Sequence, residues 1–251
     1  MKKLLCLLAA LCLLWCAALP AAARTVTPGD VNADGQISAS DALLILRQAV
    51  GKENLSGAAL QAADVTGKGD PNAADALCVL QKAVGTLRHF PCRATSVAHT
   101  LMAENLHYSP PRNYNYAPTV IVCADRAACD RLVADVYMLD TDAYTDDFFK
   151  QHDLLIVAFS TTGGYPSSAT LDALYVADGE LCLSGTQVDE ARGWYPAMGR
   201  TRVNVYAIPK LPRSVTAAHI DWRLIHNVYD FDGTLLPRAC YTRQRHIDQE
   251  L

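Results

Sequence analysis

The feature that most constrains this chain is an internal repeat: residues 29–51 recur as residues 63–85 at a shift of 34, with eleven identities in 23 positions. Identical pairs include Asp30/Asp64, Gly35/Gly69, Asp41/Asp75, Ala42/Ala76, Leu46/Leu80 and Gly51/Gly85. Chance alignment does not give that density, so the stretch from residue 29 to about 88 is a duplicated unit.

Within the first copy, Asp30, Asn32 and Asp34 place oxygen-bearing side chains at alternate positions. Gly35 permits a sharp turn that presents the Gln36 backbone carbonyl, and Asp41 supplies a carboxylate at the twelfth position. A hard cation takes roughly six to eight oxygens, and this is the spacing of a calcium loop. An Asp/Asn/Gly-rich turn before a helix, with Asp41 near its N-terminus, is the plainer alternative. The duplication favours the metal. The second copy offers Asp64, Thr66 and Asp75, but Lys68 stands where the first copy has Asp34. A cation there removes an oxygen and repels the metal, so a weaker or empty second site is expected, with Asp70 or Asn72 as compensating donors.

A short amphipathic helix is expected after each loop, over residues 42–50 and 76–84, each stopped by a glycine suited to a left-handed cap, Gly51 and Gly85. Pro28-Gly29 excludes a helical turn ahead of the first loop. The pattern is a loop-helix unit lacking the entering helix of a full EF-hand. On these residues, 29–88 resemble a type I dockerin, the duplicated calcium-loop module that plugs into cohesin domains of cellulosome scaffoldins. The resemblance implies calcium as the cofactor and a cohesin as the partner. It also implies recognition by the loop end and helix surface, here Ala39, Ser40, Arg47 and Gln48, with Ala73, Ala74, Gln81 and Lys82 in the second copy. The copies differ at these places, which leaves a symmetric two-way docking mode open. Arg47 and Lys82 read equally as a solvated helix face. A module of this size buries little surface, so metal ligation is expected to complete its folding.

Lys2 and Lys3 precede an apolar and small-residue run over residues 4–23 that ends in Ala21-Ala22-Ala23, the pattern of a cleaved secretory signal peptide. An uncleaved anchor is the rival, since the run is long enough to span a bilayer. Beyond it lie six cysteines, Cys78, Cys92, Cys123, Cys129, Cys182 and Cys240. They permit three disulfides in about 15 connectivities, and nothing in the spacing chooses among them. None forms a CxxC pair, so a zinc knuckle or thioredoxin-type site has no support. With 22 basic and 26 acidic residues, the formal charge of −4 argues against a nucleic-acid partner. The expected location is extracellular, either free or at the cell surface through a scaffold.

The helical repeat ends near residue 92. Residues 93–118 read as a linker and domain entry, and residues 119–251 as an α+β domain with a mostly antiparallel sheet. Short apolar or β-branched runs at 119–123 and 154–159, a helical pattern at 127–139, and further strands at 203–208 and 220–228 support this. Runs at 171–176 and 181–184 flank Asp178-Gly179, a hairpin signal. Asp147-Phe148-Phe149, the 154–159 run, Thr162-Gly163-Gly164-Tyr165, the hairpin and the segment 205–210 resemble the C-terminal domain of protease-complex-subunit PrcB proteins. That resemblance implies an accessory or binding module and brings no catalytic residues.

One motif points elsewhere. Asp230-Phe231-Asp232-Gly233-Thr234 reproduces the DxDGT signature of haloacid-dehalogenase phosphatases. Those enzymes place it after their first strand, ahead of a long run that carries the remaining motifs, so a hairpin turning at Asp232-Gly233 explains the residues more simply. Ser160, Ser167 and Ser168 lack a nucleophile elbow, and the histidines show no HExxH spacing; His107, His152, His219 and His226 read as surface or satisfied residues. The carboxylate pairs Asp146/Asp147 and Asp189/Glu190 have the composition, without established geometry, of a glycosidase site. Trp194-Tyr195 suits stacking on a sugar or peptide as well as a core. The expectation is therefore a docking component of a polysaccharide-degrading complex that presents a non-catalytic α+β domain of unknown ligand. The alternative is a small dockerin-borne hydrolase of the glycosidase class, acting on polysaccharide or peptide. A free-standing calcium-binding protein is the third reading.

Overall fold

The computed structural model describes residues 26–108, 117–133, 136–137, 139–161, 167–192 and 200–251. The expected signal peptide, Thr162-Gly163-Gly164-Tyr165 and Trp194-Tyr195 lie outside the described residues. The chain separates into a first unit ending at Cys92 and a second, Arg93–Leu251.

Among its described residues the first unit carries the α-helices α1 (Ala39–Ala49), α2 (Gly57–Ala63) and α3 (Ala73–Ala83). α1 and α3 start alike because the repeat gives each a capping box. The Ser38 and Asn72 side chains accept from backbone N–H groups of the first turn, while Asp41 and Asp75 at the third helical position reach back to the cap. Both helices end where Gly51 and Gly85 turn left-handed, at φ 69° and 76°. The core is built of small residues: Val31, Ala42 and Ile45 from the first copy, Val65, Ala76 and Val79 from the second, with Ala62, Ala63 and Phe90. Its ends are clasped together. Phe90 lies so close over Gly29 that a Cβ there would meet its ring at 2.6 Å, Gly29 N–H donates to the Ala62 carbonyl at 2.8 Å, and Cys92 N–H donates to the Val65 carbonyl at 3.0 Å.

One expectation needs correction here. The first loop has no helix ahead of it among the described residues, as Pro28-Gly29 dictates, but the second loop is entered by α2. The second copy is thus a helix-loop-helix, and only the first is the truncated unit.

The second unit is β-rich. Its strands are β1 (Ala94–Ser96), β2 (Thr100–Tyr108), β3 (Thr119–Cys123), β4 (Val136–Tyr137), β5 (His152–Thr161), β6 (Ser167–Ala177), β7 (Glu180–Arg192), β8 (Arg200–Pro209), β9 (Ala217–Tyr229) and β10 (Tyr241–Glu250), with short helices α4 (Arg126–Val133) and α5 (Asp146–Gln151). They form two five-stranded sheets, in the orders β1-β6-β7-β9-β10 and β3-β5-β8-β2-β4. Pairing is antiparallel except for β7 with β9, which run parallel. The expected single sheet is therefore two, and the helix expected over 127–139 stops at Val133. Alternation along a strand reveals which face is buried but not which sheet the strand joins.

Two cores explain the layering. Leu155, Val157, Phe159, Tyr206 and Ile208 of one sheet meet Leu174, Leu181, Leu183, Ile220 and Trp222 of the other. The opposite face of the first of these sheets, with Leu154, Ile156, Ala158, Val203 and Val205, is covered by Cys129 and Leu132 of α4 and Phe149 of α5. β5 is thus buried on both faces, and this is why it reads as an unbroken apolar run. Asp178 and Gly179 turn the β6–β7 hairpin with φ 50° and 85°, a two-residue turn that needs both residues left-handed. Cys78, Cys123, Cys129 and Cys240 are free thiols. Burial, with Cys129 close by, pushes the Cys123 thiol up to about 12. Among the described residues no helix is long and apolar enough to cross a membrane.

Candidate metal loops and docking surface

In the first loop the carboxylates are gathered by backbone N–H groups. Asp30 Oδ1 accepts from Asp34 N–H at 3.1 Å and Oδ2 from Gly35 N–H at 3.0 Å, while Asp34 Oδ1 accepts from Gln36 N–H at 2.8 Å. Asn32 Oδ1 accepts from Asp34 N–H at 2.9 Å. The turn that makes this possible places Ala33 and Gly35 in left-handed conformations, at φ 58° and 87°. Asp41 is wholly buried, and both its oxygens are engaged. Oδ1 accepts from Val31 and Asn32 N–H, at 2.9 and 3.1 Å, and Oδ2 accepts from Ser38 N–H at 2.9 Å and the Ser38 hydroxyl at 3.1 Å. A buried carboxylate is tolerated only with such compensation. Asp41 therefore has two tasks, the twelfth loop position and the third position of the α1 capping box.

The second loop repeats this frame. Asp64 accepts from Lys68 and Gly69 N–H, each at 3.0 Å, and buried Asp75 accepts from Thr66 N–H at 2.9 Å and Asn72 N–H at 3.0 Å. The Asn72 side-chain oxygen caps α3 by accepting from Ala74 N–H, and its amide donates to the Asp70 carbonyl at 3.2 Å. The Asp70 and Lys68 side chains are exposed.

Whether these loops suit a hard cation is tested by what their oxygens lack. Thr66 Oγ1 is buried without a hydrogen-bond partner, and it stands where Asn32 stands in the first loop. A buried hydroxyl in that state is costly unless something else fills it. The first loop needs no such orphan, since Asp30, Asn32, Asp34 and Asp41 give it an all-oxygen donor set. The residues present fit calcium in both loops, with the fuller oxygen set in the first.

The residues expected at a docking surface divide in two. Ala39, Ser40, Arg47, Ala73 and Ala74 are exposed on α1 and α3, with Gln81 half-buried. Gln48 and Lys82 are tied down internally. Gln48 Oε1 accepts from Leu55 N–H at 2.6 Å, and Lys82 Nζ donates to the Arg88 carbonyl at 2.5 Å with its charge 6.0 Å from the Phe90 ring centroid. Sequence reading missed a larger feature. Leu43 and Leu77 are each 55% exposed, and Leu46, Val50, Leu80 and Val84 are exposed beside them. They recur at i, i+3 and i+7 along each helix and its C-cap, on a face turned away from the buried Ala42, Ile45, Ala76 and Val79. The signal was available, because Leu43/Leu77, Leu46/Leu80 and Val50/Val84 are all identities of the repeat.

The catalytic alternatives find no constellation among the described residues. Asp146 and Asp147 lie in the first turn of α5, where Asp147 pairs with Lys150 at 2.6 Å. Asp189 and Glu190 are consecutive on β7, so they face opposite sides of the sheet, and buried Asp189 accepts from Gln187 Nε2 at 2.8 Å. Asp230 is an acceptor inside a tight turn: its Oδ1 takes Asp232 N–H at 3.1 Å and Thr234 N–H at 2.9 Å, and an antiparallel bridge joins Tyr229 to Leu235. His152 stacks on Phe148 and His226 on Tyr241.

Comparison with known proteins places the first unit. Residues 28–82 match the dockerin type I domain. No curated protein matches the chain. A similar solved structure is the third cohesin ScaC in complex with the ScaB dockerin, mutated in its C-terminal helix, from Acetivibrio cellulolyticus, displaying a type I interaction. It is 34% identical over 26% of this chain and 93% of that chain, with a TM-score of 0.26.

Proposed function

We propose that this chain, whose residues 28–82 are a type I dockerin segment, docks by that segment onto a cohesin domain of a scaffoldin and so joins a cellulosome-like, polysaccharide-degrading assembly. The observation that carries the reading is the duplicated exposed stripe of Leu43, Leu46 and Val50 on α1 and Leu77, Leu80 and Val84 on α3. Exposed apolar side chains contiguous on two helices mark an interaction surface rather than a stable solvent face. Ala39, Ser40, Arg47, Ala73 and Ala74 supply the stripe's small and polar margin, together with Gln48, Gln81 and Lys82.

Calcium belongs to the same reading. Held by Asp30, Asn32, Asp34, the Gln36 carbonyl and Asp41, an ion would neutralise carboxylates that the fold crowds into one loop, and so fix the start of α1. Asp64, Thr66, Asp70 and Asp75 would hold the second ion less tightly, because Lys68 repels it. The duplicated calcium-loop units, cleavage of residues 1–23 as a signal peptide and an extracellular location complete the reading. So does the division into the module 24–92 and an accessory domain, whose expected start at 119 moves back to Arg93 because β1 and β2, within the expected entry 93–118, are strands of its sheets. The second unit is read as the accessory cargo that this segment presents.

The test is capture of secreted proteins from the source organism by the full chain, with calcium and with chelator, read by mass spectrometry. Calcium-dependent recovery of a cohesin-bearing scaffold is the expected result. Recovery indifferent to chelation contradicts it.

A further inference from the structure

The tripeptide His-Ile-Asp occurs twice in the second unit, as His219-Ile220-Asp221 on β9 and His246-Ile247-Asp248 on β10. Alternation along a strand puts the histidine and aspartate of each copy on one face and the isoleucine on the other. Ile220 is indeed in the core between the sheets and Ile247 packs against it. β9 and β10 pair antiparallel with His219 opposite Asp248 and Asp221 opposite His246, so each histidine meets the other copy's aspartate. All four side chains gather on the outer face of the sheet, beside its edge.

Their atoms are arranged in a chain. His219 Nδ1 is 2.7 Å from Asp248 Oδ1, and its other nitrogen, Nε2, is 3.3 Å from Asp221 Oδ1. That same Asp221 oxygen also contacts His246 Nδ1, and the two imidazoles lie nearly parallel, 12° apart. His219, Asp221 and His246 each offer one ligand atom, and these atoms all lie within 4.8 Å of one another. Around a tetrahedral zinc ion with bonds of about 2.1 Å, ligand atoms stand about 3.4 Å apart, close to the 3.3 Å between His219 Nε2 and Asp221; the exposed His246 ring, in hydrogen-bonding contact with that Asp221 oxygen, has to swing away from it to become the third ligand.

We infer that His219 Nε2, Asp221 and His246 Nδ1 form a binding site for a divalent transition-metal ion of the zinc type, with Asp248 as the carboxylate that orients His219. The division of labour follows from the two nitrogens of one ring. Asp248 takes the Nδ1–H, which fixes the tautomer and leaves the Nε2 lone pair for a metal. Burial of His219 holds the ring against rotation. Two imidazoles and one carboxylate suit zinc, cobalt or nickel and not calcium, which takes oxygen ligands alone. Three protein ligands leave a fourth position for water, facing solvent, where a second molecule's donor group can replace it. The bound ion also ties the edge strand β10 to β9.

The test uses the untagged full chain saturated with calcium, so that the carboxylates of the first unit do not compete, and titrates it with cobalt(II) followed by zinc. One cobalt ion per chain is expected to give a ligand-field absorption that zinc then abolishes. His246→Ala is the decisive variant, because its side chain is 67% exposed and its loss is expected to leave the circular dichroism unchanged. It should remove the cobalt absorption, whereas Asp248→Asn should retain it with affinity lowered about 10- to 100-fold. Absence of a cobalt signal from the unaltered chain, or equal affinity in His246→Ala, overturns the site. Equal affinity in Asp248→Asn overturns the orienting role.

Discussion

In the first unit the fully buried carboxylates Asp41 and Asp75 sit among alanines and valines, and six large apolar side chains of α1 and α3 face solvent. In the second unit Phe159, Leu154, Leu155, Ile156 and Ile220 are wholly buried, and the polar groups that go inside, such as Gln187 and Asp189, bond one another. The first unit spends its large apolar residues on an outer face and closes its small core with polar loops. The second seals its own away in two layers. A fold of the first kind depends on whatever neutralises its loops, whereas hydrophobic burial is the main support of the second.

The largest expected effect separates the units most sharply. Chelating calcium should melt the helical circular dichroism of the first unit and abolish docking, while the near-ultraviolet signal of Trp222 in the second stays unchanged. Asp41→Ala comes next. It strips acceptors from Val31, Asn32 and Ser38 N–H and should destabilise the first unit by about 3 kcal/mol in denaturant unfolding at saturating calcium. The counterpart in the second unit is Gly185→Ala, whose Cβ would lie 2.3 Å from the Trp222 ring; overpacking there should cost about 1–3 kcal/mol, identical with and without calcium. A calcium-dependent cost would break the comparison. The double change Leu43→Asp with Leu77→Asp should shift stability within about 0.5 kcal/mol and yet weaken cohesin binding severely, as expected of side chains that are each 55% exposed. The smallest effect sharpens the contrast between the loops: Lys68→Asp should tighten only the weaker of two calcium sites in a calorimetric titration.

The sequence makes some of this legible. Ser38 and Asn72, each three residues ahead of an aspartate, mark the starts of α1 and α3 because capping boxes act locally. Asp178-Gly179 marks the β6–β7 turn because few other pairs adopt two left-handed residues. α2 escapes notice, since Gly57-Ala58-Ala59-Leu60-Gln61-Ala62-Ala63 has no amphipathic period, only alanines small enough to fit a crowded core. The second sheet, the parallel pairing of β7 with β9 and the meeting of the two His-Ile-Asp copies all depend on strand register across the chain. Local pattern encodes each strand's faces and leaves its neighbours to tertiary packing. The exposed leucines of α1 and α3 are a different case, because a helical apolar stripe looks the same in sequence whether it meets the core or a partner.

The central claim, that a calcium-organised first unit docks onto a cohesin, is tested most directly by isothermal calorimetry of the full chain against a type I cohesin domain, once in calcium and once after chelation. The account predicts saturable binding in calcium that disappears on chelation and returns when calcium is restored. Binding of equal affinity in both conditions, or none in either, would contradict it.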